Sequence, residues 1–342
     1  MKIYHFANWG PRVSGMYEST KDQIKYERAA GHESFFIDAM VEEIKDSHVD
    51  GWLSPSPWDQ AMDGDIWVMH SKIPGRLRTK KPDRIKTVAI IHGPTEHMLL
   101  KGWQMNEDLF NLHISILWTY DATIAINEHE YDILSHYDEK KNRLHYIPNS
   151  IDLGRVKNVP VLEYQNHPAI GSFDTPRLEK MPFHIIFAVY ELIKKVPTAR
   201  LNFFSMLLEK VKFYRSIFCR SHERHLEGIC ENTQLANQNL LPHMAGIDIG
   251  FNNNYSGICS RVSMEMMALG VPVVSYRGDY TKYHAEIFNI QSIADQLERC
   301  WNDLQAPGST LREETKQYAK DNFDRKKHVA TYIKMYEKLL GG

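Results

Sequence analysis

Several things are missing from this sequence, and each absence removes a class of protein. No apolar run in its 342 residues approaches the roughly 18 needed to cross a bilayer. The opening, Met1-Lys-Ile-Tyr-His-Phe-Ala-Asn-Trp-Gly10, lacks the extended apolar core of a secretory signal and starts like a strand. Cysteine is scarce. Cys219, Cys230, Cys259 and Cys300 are widely spaced and form no Cys-x-x-Cys, so a disulfide framework or structural metal site is not expected. There is no excess of charge: the net value is -2, which excludes polyanion binding by bulk charge but leaves local patches open. No Gly-x-Gly-x-x-Gly follows the first strand, which argues against a dinucleotide fingerprint. Internal repeats and low-complexity tracts are absent too.

What remains is a soluble globular composition, 43% hydrophobic and 25% charged, on a chain long enough for two domains. Strand and helix patterns alternate in both halves. In the first, strands are expected over 1–6, 32–38, 65–70, 87–92, 122–127 and 144–148, with helices over 17–30, 105–118 and 128–138. Residues 153–168, with Gly154, Pro160 and Pro168, read as a linker. The second half restarts with strands over 169–171 and 199–204 and helices over 183–195, 207–220, 290–304, 311–320 and 323–340. Alternation of this kind predicts an α/β protein with two doubly wound, Rossmann-like domains facing across a cleft. The expected divisions are 1–152, the linker 153–168, 169–322, and a terminal helix 323–342 returning to the first domain.

One stretch, Asp248 to Ser275, organises the second half. Gly246 to Phe251 reads as a strand, Asn252 to Ser260 as a loop, Arg261 to Leu269 as a helix stopped by Gly270, and Val271 to Ser275 as the next strand. A loop and helix N-terminus above strand ends offer free N–H groups and the positive end of a helix dipole, which suits an anionic ligand. Glu265, one turn into the helix, would be poor company for a phosphate and a good acceptor for ribose hydroxyls.

The string Met264-Glu-Met-Met-Ala-Leu-Gly-Val-Pro-Val-Val274 resembles the signature of retaining, family-4-like glycosyltransferases of the GT-B fold. Ile147-Pro-Asn-Ser-Ile-Asp152 and Gly31-His-Glu33 are similar to two further family features, and the layout agrees along nearly the whole chain. The resemblance implies a nucleoside-diphosphate sugar as co-substrate, with no cofactor and no metal. Carried over by position, Glu265 would hold the nucleotide ribose. Gly15 and the backbone at Ser260, Arg261 and Val262 would hold the diphosphate, and Gly257 and Ile258 would fall beside the donor sugar. His92, at a strand end, would be catalytic together with a cationic clamp of Arg177 and Lys180, which stabilises charge on the departing phosphate.

Three positions depart from the family pattern. Gly257 stands where a sugar-reading Glu is usual, Ser172 follows Gly171 in the clamp region, and Ser14-Gly15 replaces a pair of glycines. Acceptor-side candidates are Glu96 and His97, with Arg76, Arg78, Lys80 and Lys81 from a basic stretch that suits an anionic partner, either DNA or an anionic lipid surface. Three readings stay open: transfer to a saccharide or lipid-linked hydroxyl, transfer to a hydroxylated DNA base as in phage-type modification, and a non-catalytic nucleotide binder. The expected compartment is the cytoplasm, peripheral at a membrane for a lipid acceptor, or that of the host for a phage-encoded chain.

Overall fold

The computed structural model describes residues 1–7, 15–38, 61–70, 81–92, 116–138, 142–174, 182–203, 230–232, 240–254 and 258–341. The chain divides into two units. Unit 1 comprises Met1–Ser150 and Arg325–Gly342, and unit 2 comprises Ile151–Asp324. Residues 153–168 therefore belong to unit 2, where Leu153, Val156 and Tyr164 pack on its core.

Unit 1 is built on a six-stranded sheet of β1 (Lys2–Ala7), β2 (Glu33–Asp38), β3 (Ile66–Met69), β4 (Lys86–Ile91), β5 (Ala122–Ala125) and β6 (Leu144–Tyr146). All pairs are parallel, in the order β2-β1-β3-β4-β5-β6. Parallel strands covered on both faces must be apolar throughout, and Ile66-Trp-Val-Met69 is buried at every position. Its helices are α1 (Gly15–Ala29), the single turn α2 (Ile116–Thr119), α3 (Glu128–Ser135) and, from the end of the chain, α9 (Arg325–Gly341). Asn127 starts α3 by accepting from the Glu130 N–H at 2.7 Å. Tyr332, Met335 and Tyr336 of α9 pack into the same core as Ile3, Val68, Val88 and Ile124.

Unit 2 carries a five-stranded parallel sheet of β7 (Ala169–Ser172), β8 (Arg200–Phe203), β9 (Cys230–Asn232), β10 (Ile249–Asn252) and β11 (Val273–Ser275), in the order β11-β10-β7-β8-β9. Its helices are α4 (Pro182–Ile193), α5 (Leu241–Gly246), α6 (Arg261–Ala268), α7 (Ile290–Gln305) and α8 (Leu311–Asn322). Helix α7 buries Ile293, Ala294, Leu297 and Cys300, the one-face spacing of an amphipathic helix. Asp248 ties the amino ends of β7 and β10 together. It accepts from the Ala169 N–H (2.8 Å) and Arg312 Nη2 (2.9 Å), and lies 2.6 Å from His167 Nδ1.

The structure differs from the sequence reading in several places. Residues 241–246 form α5, so the strand expected from Gly246 begins at Ile249. Pro242 lies in the first turn of α5, where its missing N–H costs nothing. Strand β9 is an addition to the expected elements. The last helix starts at Arg325, because Phe323 closes α8 through its N–H to Ala319 O and packs in the unit 2 core. Of the helix expected over 105–118, only residues from 116 are described, and the one expected over 207–220 lies outside the described residues.

Candidate functional site

In an open α/β sheet, ligands bind at the carboxyl ends of strands where the strand order reverses. Unit 2 reverses between β7 and β10, and polar residues gather there. Asn253, fully buried, donates from Nδ2 to Ser172 Oγ across the switch point at 2.7 Å. Its Oδ1 finds no donor among the described residues. Asn252 Nδ2 donates to the Ile258 carbonyl at 2.8 Å and to Tyr280 Oη at 2.5 Å, and Tyr280 donates on to Ser275 Oγ at 2.6 Å. Burial pushes the Tyr280 phenol far above its ordinary range, so it is a fixed neutral donor. Burial, reinforced by Asp174, also holds the Cys259 thiol well above its usual range. Sequence reasoning misses the roles of Asn252–Asn254, Ser172 and Tyr280. The Asn-Asn-Asn run is the available signal, and by itself it indicates only turn chemistry.

Helix α6 starts where expected. Ser260 caps it, accepting from the Ser263 N–H at 3.2 Å, and the Arg261 and Val262 N–H groups belong to the first turn, before intrahelical acceptors exist. Gly270, with φ of +87°, terminates the segment in a conformation that favours glycine. Glu265 is 8% exposed and accepts from Arg261 Nε at 3.0 Å, an i,i+4 pair on one helix. That pair answers the objection to a carboxylate near a phosphate, because Arg261 offsets its charge. Ile258 is half-buried beside this loop.

Unit 1 reverses between β1 and β3, and a chain of histidines lies there. Parallel pairing sets His5 opposite Val68 and Val68 opposite Val88. His70 is two residues beyond Val68, and His92 is two beyond Ile90, which continues the β3–β4 register opposite His70. With a side-chain period of two, all three histidines fall on one face, each a step nearer the carboxyl ends. Their nitrogens meet accordingly: His5 Nδ1 is 2.9 Å from His70 Nε2, and His70 Nδ1 is 2.9 Å from His92 Nε2. At the inner end, His5 Nε2 lies 2.7 Å from Glu27 Oε2 of α1. Glu27 also accepts from Ser34 Oγ (2.6 Å) and Gln23 Nε2 (3.0 Å). His5 and Glu27 are wholly buried, His70 is 2% exposed and His92 is half-buried. Burial, then the charges of His92, His5 and Arg325, hold His70 well below the usual histidine range. Burial and Arg325 bring His92 down to about 3. Sequence reading singles out His92 alone, although Met69-His70 at a strand end is a parallel signal.

Gly15 is the exposed first residue of α1. Lys81 donates to the Ile85 carbonyl at 2.6 Å, so its ammonium is tied to its own loop, as is Arg84 to the Gly64 carbonyl at 2.9 Å. Arg177, Lys180, Gly257, Glu96, His97, Arg76, Arg78 and Lys80 lie outside the described residues. Among the described residues no group of three or more His, Cys, Asp or Glu is placed to hold a metal ion, and no helix is long and apolar enough to cross a membrane.

Comparison of the sequence with protein-family models and with curated proteins finds no match. Solved structures do match. A glycosyltransferase from Rickettsia africae ESF-5 aligns over 99% of this chain and 98% of its own, with a TM-score of 0.73 and 15% identity. Sucrose-phosphate synthase from Thermosynechococcus elongatus aligns over 99% of both chains, with 0.77 and 13%. Anabaena HepE, solved in complex with UDP, aligns over 99% of this chain and all of its own, with 0.72 and 12%. The fold is therefore the α/β GT-B fold. At such identities the likeness is one of fold, and function has to be argued from the site.

Proposed function

We propose that this protein is a retaining glycosyltransferase, moving a sugar from a nucleoside-diphosphate sugar to an acceptor hydroxyl of a saccharide or lipid-linked intermediate. The observation that carries the reading is the Ser260-capped start of α6, set beside Asn252–Asn254 at the switch point of unit 2. First-turn N–H groups and the helix dipole suit the diphosphate, and the buried Glu265–Arg261 pair suits a ribose. HepE, which shares the fold, has been solved with UDP and with UDP-glucose.

The chemistry follows from charge. When the anomeric bond breaks, negative charge develops on the β-phosphate, and donors fixed beforehand stabilise it without reorganising. The α6 N-terminus is one such group, and Arg177 and Lys180 are the expected cations. The leaving phosphate takes the acceptor proton on the same face, so configuration is kept and no protein nucleophile is needed. His92, held neutral, serves as a hydrogen-bond partner to a sugar hydroxyl.

The test is a thermal-shift screen against UDP-, GDP-, ADP- and CDP-sugars, followed by diphosphate release and the anomeric configuration of the product. Stabilisation by one nucleotide sugar, with slow release of its diphosphate and an α product from an α donor, is the expected result. Stabilisation without any release would leave a nucleotide binder, and an inverted product would remove the same-face mechanism. Lys180→Ala should cut turnover strongly with the fold intact.

A further inference from the structure

The histidine chain of unit 1 has a direction. Both oxygens of Glu27 face donors, the Ser34 hydroxyl at Oε2 and the Gln23 amide at Oε1. An ionised carboxylate only accepts, so His5 Nε2 must carry the hydrogen of the 2.7 Å contact. With His5 a neutral imidazole, its Nδ1 is an acceptor and His70 donates from Nε2. By the same step, His70 Nδ1 accepts and His92 Nε2 donates. Each ring passes the constraint to the next, because a neutral imidazole has one N–H and one lone pair. Arg325, whose charge acts on both His70 and His92, disfavours a cation at either of those rings. What emerges at the half-buried end is His92 Nδ1, which has no partner among the described residues.

We propose that Glu27, acting through His5 and His70, fixes His92 as its Nε2–H tautomer, so that Nδ1 meets a hydroxyl of the sugar as a pure hydrogen-bond acceptor. Glu27, His5 and His70 are positioning residues in this scheme. The assignment rests on the transferase reading, in which His92 contacts the donor sugar.

Glu27→Gln tests this with almost no change in shape. If the oxygen of the new amide stays opposite the Gln23 amide, its NH2 group lies where Oε2 was and donates to His5 Nε2. Every bond in the chain then reverses, and His92 presents Nδ1–H. Histidine-selective ¹⁵N spectra at pH 7.5, assigned with His5→Asn, His70→Asn and His92→Asn, read the tautomers directly. The expected result is Nε2–H at His5, His70 and His92 in the wild type and Nδ1–H at all three in the variant. Nδ1–H at His92 in the wild type, which a protonated Glu27 or a cationic His5 would produce, overturns the proposal, and that spectrum does not depend on the variant folding. An unchanged His92 in folded Glu27→Gln overturns it as well.

Failure of the wild type to bind any nucleotide sugar of the screen counts against the transferase reading, while the nitrogen spectra still decide the tautomer.

Discussion

Acid should loosen unit 1 well before its carboxylates titrate, and the histidine chain sets the size of the effect. His70 and His92 are held neutral in the fold, His92 with its pKa brought down to about 3. In the unfolded chain each titrates at ~6.5. Between those values the unfolded state binds protons that the folded state refuses, so stability falls as pH falls. The contribution is complete above ~6.5 and is lost as pH drops from there toward the folded-state value. At pH 5.5 the unfolded state has gained about 0.9 proton per ring, which is ~1.4 kcal/mol per histidine. His70 is buried and contributes in full. His92 is half-buried, and solvent screens part of its share, so about 2 kcal/mol is expected between pH 7.5 and 5.5. Hydrogen exchange of the β3 and β4 amides, corrected for intrinsic rate, should then show about thirtyfold more frequent opening. The two-unit chain makes a global unfolding midpoint a poorer measure. His70→Gln removes the larger share, and its opening should rise only about threefold over the same interval. His145, held low by burial and by Lys338, adds to the rise in both proteins, so the quantity tested is the roughly tenfold difference between them. Parallel pH dependence in wild type and His70→Gln would refute the argument.

Three other perturbations test the scaffold around the candidate donor site. Gly246→Ala drives a Cβ into the Leu162 carbonyl, a backbone atom that cannot swing away, and should lower the stability of unit 2 by about 3 kcal/mol, read as protection lost at β10. Ser260→Ala removes the α6 cap and should cost about 1 kcal/mol while weakening several-fold, by titration calorimetry, binding of the nucleoside diphosphate that the thermal-shift screen selects. Cys259 should resist iodoacetamide at pH 7.5 until urea opens unit 2, and Asp174→Asn should hasten its labelling.

The fold is legible where burial dictates composition. Thr87 to Ile91 and Ala122 to Ala125 read as strands because a sheet covered on both faces admits few polar side chains. The α6 segment is legible because its cap, first turn and terminal glycine occupy fixed positions along the chain. Glu265 is found this way, and its partner Arg261, four residues earlier, is within reach of the same reasoning. The histidine chain is not. Its contacts join residues 22 and 65 apart in sequence, and only the register of three strands brings them together. A histidine inside an apolar strand carries no mark of what it will face. Strand β9 escapes notice for a related reason: Cys230-Glu-Asn232 is short and polar, and it pairs at the edge of the sheet. The end of helix α5 reads as the beginning of a strand because Gly246-Ile-Asp-Ile-Gly-Phe251 is continuous in hydropathy across a real boundary.

The return of α9 to unit 1 bears on the order of biosynthesis. Tyr332 and Tyr336 fill the core against β1, β3 and β4, and Gln23 of α1 donates to the Tyr336 hydroxyl at 3.0 Å. Unit 2 is contiguous in sequence and can complete its core once Asp324 has left the ribosome. Unit 1, although synthesised first, must wait with an open apolar face until the last helix emerges. A chain truncated after Asp324 should therefore show a protease-resistant unit 2 beside a protease-sensitive unit 1.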